Sequence, residues 1–148
     1  MQRVTARMTI TMVAVSVALA AGLASDALAM DRYLWKYRPL VVFAASPGDP
    51  QLQRQREIVA SLRPAFIDRN VVVVYVGGDT VTADLGPQPG MGAATLRQRY
   101  GVAPGTFKAV LVGKDGGVKL TAAKPFAAQT LFRTIDAMPM RADEVRKK

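Results

Sequence analysis

Two uninterrupted apolar runs, residues 40–45 (LVVFAA) and 71–76 (VVVVYV), lie on either side of a helix-patterned stretch. A strand wetted on one face alternates polar with apolar residues. A strand without that alternation is covered on both faces. Between the runs, Ser46-Pro47-Gly48-Asp49-Pro50 breaks the first strand, with Asp49 suited to cap a helix and Pro50 to its first position. Leu52, Val59, Leu62 and Phe66 then recur at helical spacing, and Ile58 widens the stripe. Pro64 is expected to kink or divide this helix, because it lacks an amide and crowds the preceding turn. Strand, helix and strand read as a right-handed parallel βαβ unit.

The rest of the chain extends that unit. Residues 77–90 are rich in Gly, Pro, Thr and Asp and read as a long connection. Residues 93–100 form a short helix stopped by Gly101. A third strand covers residues 107–112 and a fourth residues 118–121, with the turn signal Asp115-Gly116 between them. Lys124-Pro125 opens a last helix that turns Ala128, Leu131, Ile135 and Met138 inward and ends at Pro139. Residues 140–148 are a polar tail with room for one more helical turn at 142–146. The order β-α-β-α-β-β-α predicts a thioredoxin-like three-layer α/β/α fold, with a mixed four-stranded sheet in the order 4-3-1-2. Before the first strand, Tyr33, Trp35 and Tyr37 recur at period two among the basic residues Arg32, Lys36 and Arg38, as in an edge strand or a segment laid over the core.

The first 29 residues have another character. Arg3 and Arg7 precede an almost unbroken apolar run, and Ala27-Leu28-Ala29 supplies a small-residue cleavage site. This pattern predicts a secretory signal peptide cut after Ala29, leaving residues 30–148 as the domain. Asp26 interrupts the run too early for a spanning helix of about 20 apolar residues. Periplasmic or secreted location is the expectation, with no transmembrane segment after cleavage. Without Arg3, Arg7 and Asp26 the 20 basic and 11 acidic residues fall to 18 and 10. The net charge of about +8 attracts anionic partners. An anionic envelope component or another protein is therefore the expected partner. Specific nucleic-acid binding is not expected, because neither a binding motif nor a stacking signature accompanies the charge.

The chain has no cysteine and no histidine. Thiol–disulfide exchange and cysteine peroxidase chemistry are excluded, as are serine–histidine triads and the common zinc sites. No cofactor or metal is expected.

Several strings resemble those of a known family. Trp35, Arg38-Pro39-Leu40 running into residues 41–44, Gln55, and Arg69 before the second strand carry part of the likeness. The string LVGKDGGVK at 111–119 and IDAMPMR at 135–141 carry the more specific part. On these residues the chain resembles the domain of unknown function 4174, over nearly all of residues 30–148. The resemblance implies a thioredoxin-like fold and an exported protein, and implies no activity. Against thioredoxins themselves, the place of the redox cysteines holds Gly48-Asp49-Pro50-Gln51, and the place of the proline before the third strand falls near Lys108.

Two groups of residues are candidate sites. The first helix opens at Ser46, Gly48 and Asp49, and Lys108 with Phe107 is expected beside it. Free helix amides and a lysine there would hold an anion, whereas Asp49 as an ordinary cap would occupy those amides. The second group is Lys114, Asp115, Lys119, Asp136 and Arg141, which would either converge on an acidic or polar ligand or pair among themselves. Trp35, Met138 and Met140 are candidate contact residues, with core cover and helix-end packing as the alternatives. Three functional readings follow: a non-catalytic binding or structural module, an envelope enzyme using a carboxylate with Lys114 or Lys119 and Arg141, and a membrane-surface factor acting through Arg146-Lys147-Lys148.

Overall fold

The computed structural model describes residues 30–148; the expected signal peptide lies outside them. Five strands form one sheet: β1 (Arg38–Ala44), β2 (Val71–Gly77), β3 (Thr80–Asp84), β4 (Lys108–Val112) and β5 (Val118–Ala122). The helices are α1 (Pro50–Ser61), α2 (Arg63–Asp68), α3 (Ala93–Tyr100), α4 (Ala128–Asp136) and α5 (Pro139–Arg146). The sheet runs β3-β2-β1-β4-β5, with β1 and β2 parallel and every other neighbouring pair antiparallel.

The expected four-stranded sheet in the order 4-3-1-2 is thereby corrected to five strands in a different list. The added strand is β3, in the segment read as a long connection. Its hairpin with β2 turns at Gly78-Asp79, where Gly78 has φ +57°. Only glycine takes that conformation without steric cost. Thr80, Val81 and Thr82 then supply β-branched residues for the edge. As expected, Pro64 divides the first helix, into α1 and α2, but Leu62 of the expected apolar stripe is exposed at the junction. The order β-α-β-α-β-β-α is corrected in one further place, after α4. The tail read as having room for one turn at 142–146 is a full helix, α5, and Pro139 opens it, because a missing amide costs nothing at a first helical position.

The sheet is covered on both faces, as its unbroken apolar strands require. On one side Leu40, Val42, Val73, Tyr75 and Leu111 pack against Leu52, Val59, Phe66, Leu131 and Ile135 from α1, α2 and α4. On the other, Val41, Phe43, Val72, Val74 and Val110 meet Leu96 of α3, together with Met30 and Tyr33. The lead-in is therefore a cover and not an edge strand. Its backbone coils in turns over residues 30–36, closed by bonds such as Tyr37 N–H to the Tyr33 carbonyl (2.9 Å). Tyr33 is buried and meets Tyr37 edge-on at 6.1 Å. Trp35 is the exception at 64% exposure, with φ +64° and its amide donating to the Lys114 carbonyl (2.7 Å).

Candidate functional site

Chemistry gathers at the end of the sheet where β1 and β2 begin and β4 ends. Arg38, the first residue of β1, is 1% exposed. Its guanidinium donates to both carboxylate oxygens of Glu144 (3.2 and 3.1 Å) and to the Arg69 carbonyl (2.8 Å). Lys114, just beyond β4, donates to the same Glu144 (2.6 Å) and to the Asn70 side chain (3.1 Å). Glu144 comes from α5, so one carboxylate of the last helix serves two buried cations of the sheet. Arg141, one turn earlier on that helix, donates to the carbonyl (2.9 Å) and carboxylate (2.5 Å) of Asp68. Its Nε lies 3.5 Å from Asp136. Asp136 in turn accepts both arms of Arg69 (2.9 Å each), whose guanidinium stacks 4.2 Å over Phe132. Lys148 adds a contact to Asp68.

This pairing fixes the charge states. Hydrogen bonds from Lys148 and Arg141 pull the Asp68 carboxyl down to about 2. The bidentate bond from Arg69 holds Asp136 below the ordinary carboxylate range. Burial by itself raises Glu144, but the hydrogen bonds and charges of Arg38 and Lys114 outweigh it, and the net shift is downward. Asp115 is lowered by Lys119 and by the Gly117 amide. For Arg141, burial disfavours the charge while the bond and charge of Asp68 more than restore it.

The five residues of the charged group separate into two sets. Asp136 and Arg141 belong to the network between α2, α4 and α5. Lys114, Asp115 and Lys119 line a cleft of about 190 Å³, together with Arg38 and the Met138–Pro139–Met140 link between α4 and α5. Lys114 belongs to both. Asp115 accepts from Lys119 (2.9 Å) and from the Gly117 amide (3.0 Å), so it shapes the β4–β5 turn as its Asp-Gly signal implies. A larger hollow of about 240 Å³ lies on the other side of that loop, between the lead-in and the end of α3. Its charged lining is Arg99 against Asp31 and Asp115, so it lacks the cationic excess of the smaller cleft.

The opposite end of the sheet carries the other candidate group. Asp49 accepts from the amides of Gln51 (2.8 Å) and Leu52 (3.4 Å), occupying the start of α1 with its own carboxylate. Ser46 and Gly48 are exposed in the preceding loop. Lys108 is not brought to them: its ammonium donates to the Tyr100 carbonyl at the end of α3 (3.4 Å). A cation that the sequence reading passed over does reach this end. Arg97 of α3, 8% exposed, donates to the Gly78 carbonyl (2.6 Å) and approaches that of Ala44 (3.5 Å), joining the ends of β1 and β2.

Glu144, Asp68 and Asn70 stood outside the residues expected at a site, and Arg38 and Arg69 were expected only as family residues. A signal for Glu144 was present: Pro139 can open a helix, and Arg141 and Glu144 are then three apart on one face. Nothing local marks Arg38 as buried. Its partner lies 106 positions away.

Fold and site together define a mixed α/β domain whose last helix is ionically bound to the start of its sheet, beside a small cationic cleft. The chain belongs to the family described as Domain of unknown function (DUF4174), whose model matches residues 29–144. No curated protein and no solved structure matches it.

Proposed function

We propose that this chain is an exported, non-catalytic binding domain of thioredoxin-like architecture, with the cleft at Lys114, Lys119 and Met138–Met140 as its ligand site. The parallel β1–β2 pair, the β4–β5 hairpin beside β1 and the helices on both faces support the architecture, to which β3 is an added edge. The basic start, apolar run and small-residue site of residues 1–29 support export. One observation carries the choice of binding over catalysis. Asp68, Asp115, Asp136 and Glu144 are all held below their ordinary values by cation partners. A general acid working near neutrality needs the opposite shift, and the thiolate or imidazole that would replace it is missing from the sequence.

Immobilised protein should retain a partner from an envelope extract at low salt. Lys119→Glu should lose that partner while lowering the melting temperature only slightly, since the Lys119–Asp115 pair it breaks is partly exposed. Equal retention by both forms, or none by either, removes the cleft from this role. Turnover of a disulfide or peroxide by the purified chain overturns the non-redox reading. Amino-terminal sequencing of the exported protein tests the cut after Ala29.

A further inference from the structure

Given a binding role for the cleft, we infer that its ligand is a monoanionic carboxylate bearing a small apolar group, either a free acid or the end of a peptide chain. The charge count comes first. Arg38, Lys114 and Lys119 line the cleft, and their carboxylate partners are Glu144 and Asp115. Arg38 and Lys114 share Glu144, so three cations face two anions and one positive charge is unmatched. A single carboxylate completes the balance. A dianion such as phosphate exceeds it, and meets Asp115 on the same wall.

Donor capacity agrees with the charge. An ammonium has three N–H donors and no acceptor. Lys114 uses two of its three, on Glu144 and Asn70. Lys119 uses one, on Asp115, in a pair whose side chains are 35% and 45% exposed. Three donors on two lysines are left for the two oxygens of an incoming carboxylate. Arg38 contributes fixed charge behind them, since its guanidinium is held by Glu144 and the Arg69 carbonyl.

Shape and chemistry of the remaining wall select what the carboxylate is attached to. Met138, Pro139 and Met140 present thioether and ring carbon, with Met140 37% exposed. Methionine adapts to irregular apolar shapes. The cleft volume of about 190 Å³ is below the range of roughly 300–1,000 Å³ usual for drug-sized ligands. At about 30 Å³ per water it displaces only some six waters. That suits a short acid or one terminal residue and is too small to enclose a nucleotide or an extended glycan.

The test is a titration of the full domain, residues 30–148 as exported, followed by the methyl resonances of Met138 and Met140. The probes are butanoate, benzoate, an N-acetylated dipeptide ending in free leucine, its carboxamide, and inorganic phosphate. The carboxylates should shift both methyls saturably, and the carboxamide and phosphate should bind at least tenfold more weakly. Lys119→Met should weaken the carboxylates tenfold or more, and Lys108→Met, at the other end of the sheet, should leave them unchanged. Tighter binding of the dipeptide than of either free acid assigns the site to chain ends; the reverse assigns it to free acids. Equal binding of dipeptide and carboxamide, or no methyl shift at millimolar probe, overturns the inference. If the probes fail while Lys119→Glu still abolishes partner retention, the carboxylate assignment falls and the binding role stands. Failure of both removes both.

Discussion

Glu144 is the residue on which most of the buried charge depends. Its side chain is 23% exposed, while its partners Arg38 and Lys114 are 1% and 9% exposed. Removing one member of a buried pair leaves the other charge desolvated and unpaired, a loss of about 3–5 kcal/mol in well-buried cases. Glu144→Gln, with two cations orphaned and some solvent access, should cost about 3 kcal/mol, read from urea unfolding. The same residues set the acid response. Asp68, Asp136 and Glu144 have folded values below their unfolded values of about 3.9 and 4.3. The folded state therefore binds fewer protons, and the pairing stabilises fully above about pH 5 and is lost as pH falls toward about 2. Melting temperature should decline through that window, and less steeply in Glu144→Gln. At the alkaline side the sign reverses. Burial raises Tyr33 to about 12 and also raises Tyr75 and Tyr100. Stability should fall from about pH 10, where the unfolded phenols ionise.

Among the elements, α1 is tied down by one amide. Gln55 is fully buried, donates to the Phe126 carbonyl (3.1 Å) and accepts from the Phe126 amide (2.7 Å). It thereby anchors the segment that leads into α4. Gln55→Leu keeps the volume but strands two buried backbone groups, each costing about 1–3 kcal/mol. A loss of about 3 kcal/mol in denaturant unfolding is expected, with hydrogen exchange quickened at Phe126. The central elements could be read locally: β1 and β2 from unbroken apolar runs, α3 from its glycine stop, the β4–β5 hairpin from Asp115-Gly116. The others needed tertiary context. An edge strand such as β3 has weak apolar content of its own and is made by pairing with β2. Pro139 has the same local meaning at a helix end as at a helix start, and only Arg141 and Glu144 finding partners decides between them. The proximity of Lys114, Asp115 and Lys119 was legible because they sit in a turn and hairpin of fixed geometry. Their separation from Asp136 and Arg141 was not, since it depends on where α5 docks.

Across the whole molecule, the two ends of the sheet are built for different tasks. At the α1 end, Asp49 and Arg97 satisfy the open backbone groups of the helix and strands. At the hairpin end, four cations (Arg38, Arg69, Lys114 and Arg141) share three carboxylates, and the cleft opens beside them. No described helix is long and apolar enough to cross a membrane.

The clasp between Arg38 and Glu144 also orders events in time. A ribosome produces the entire sheet before it reaches the carboxylate that neutralises the sheet's first residue. Until then the nascent chain holds two cations whose dehydration has no compensation, and compaction is disfavoured. On this ordering the chain gains its full ion pairing only once its last helix has been made. A chain stopped after Met138 should accordingly fail to melt cooperatively, while one stopped after Lys147 should melt nearly as the whole does.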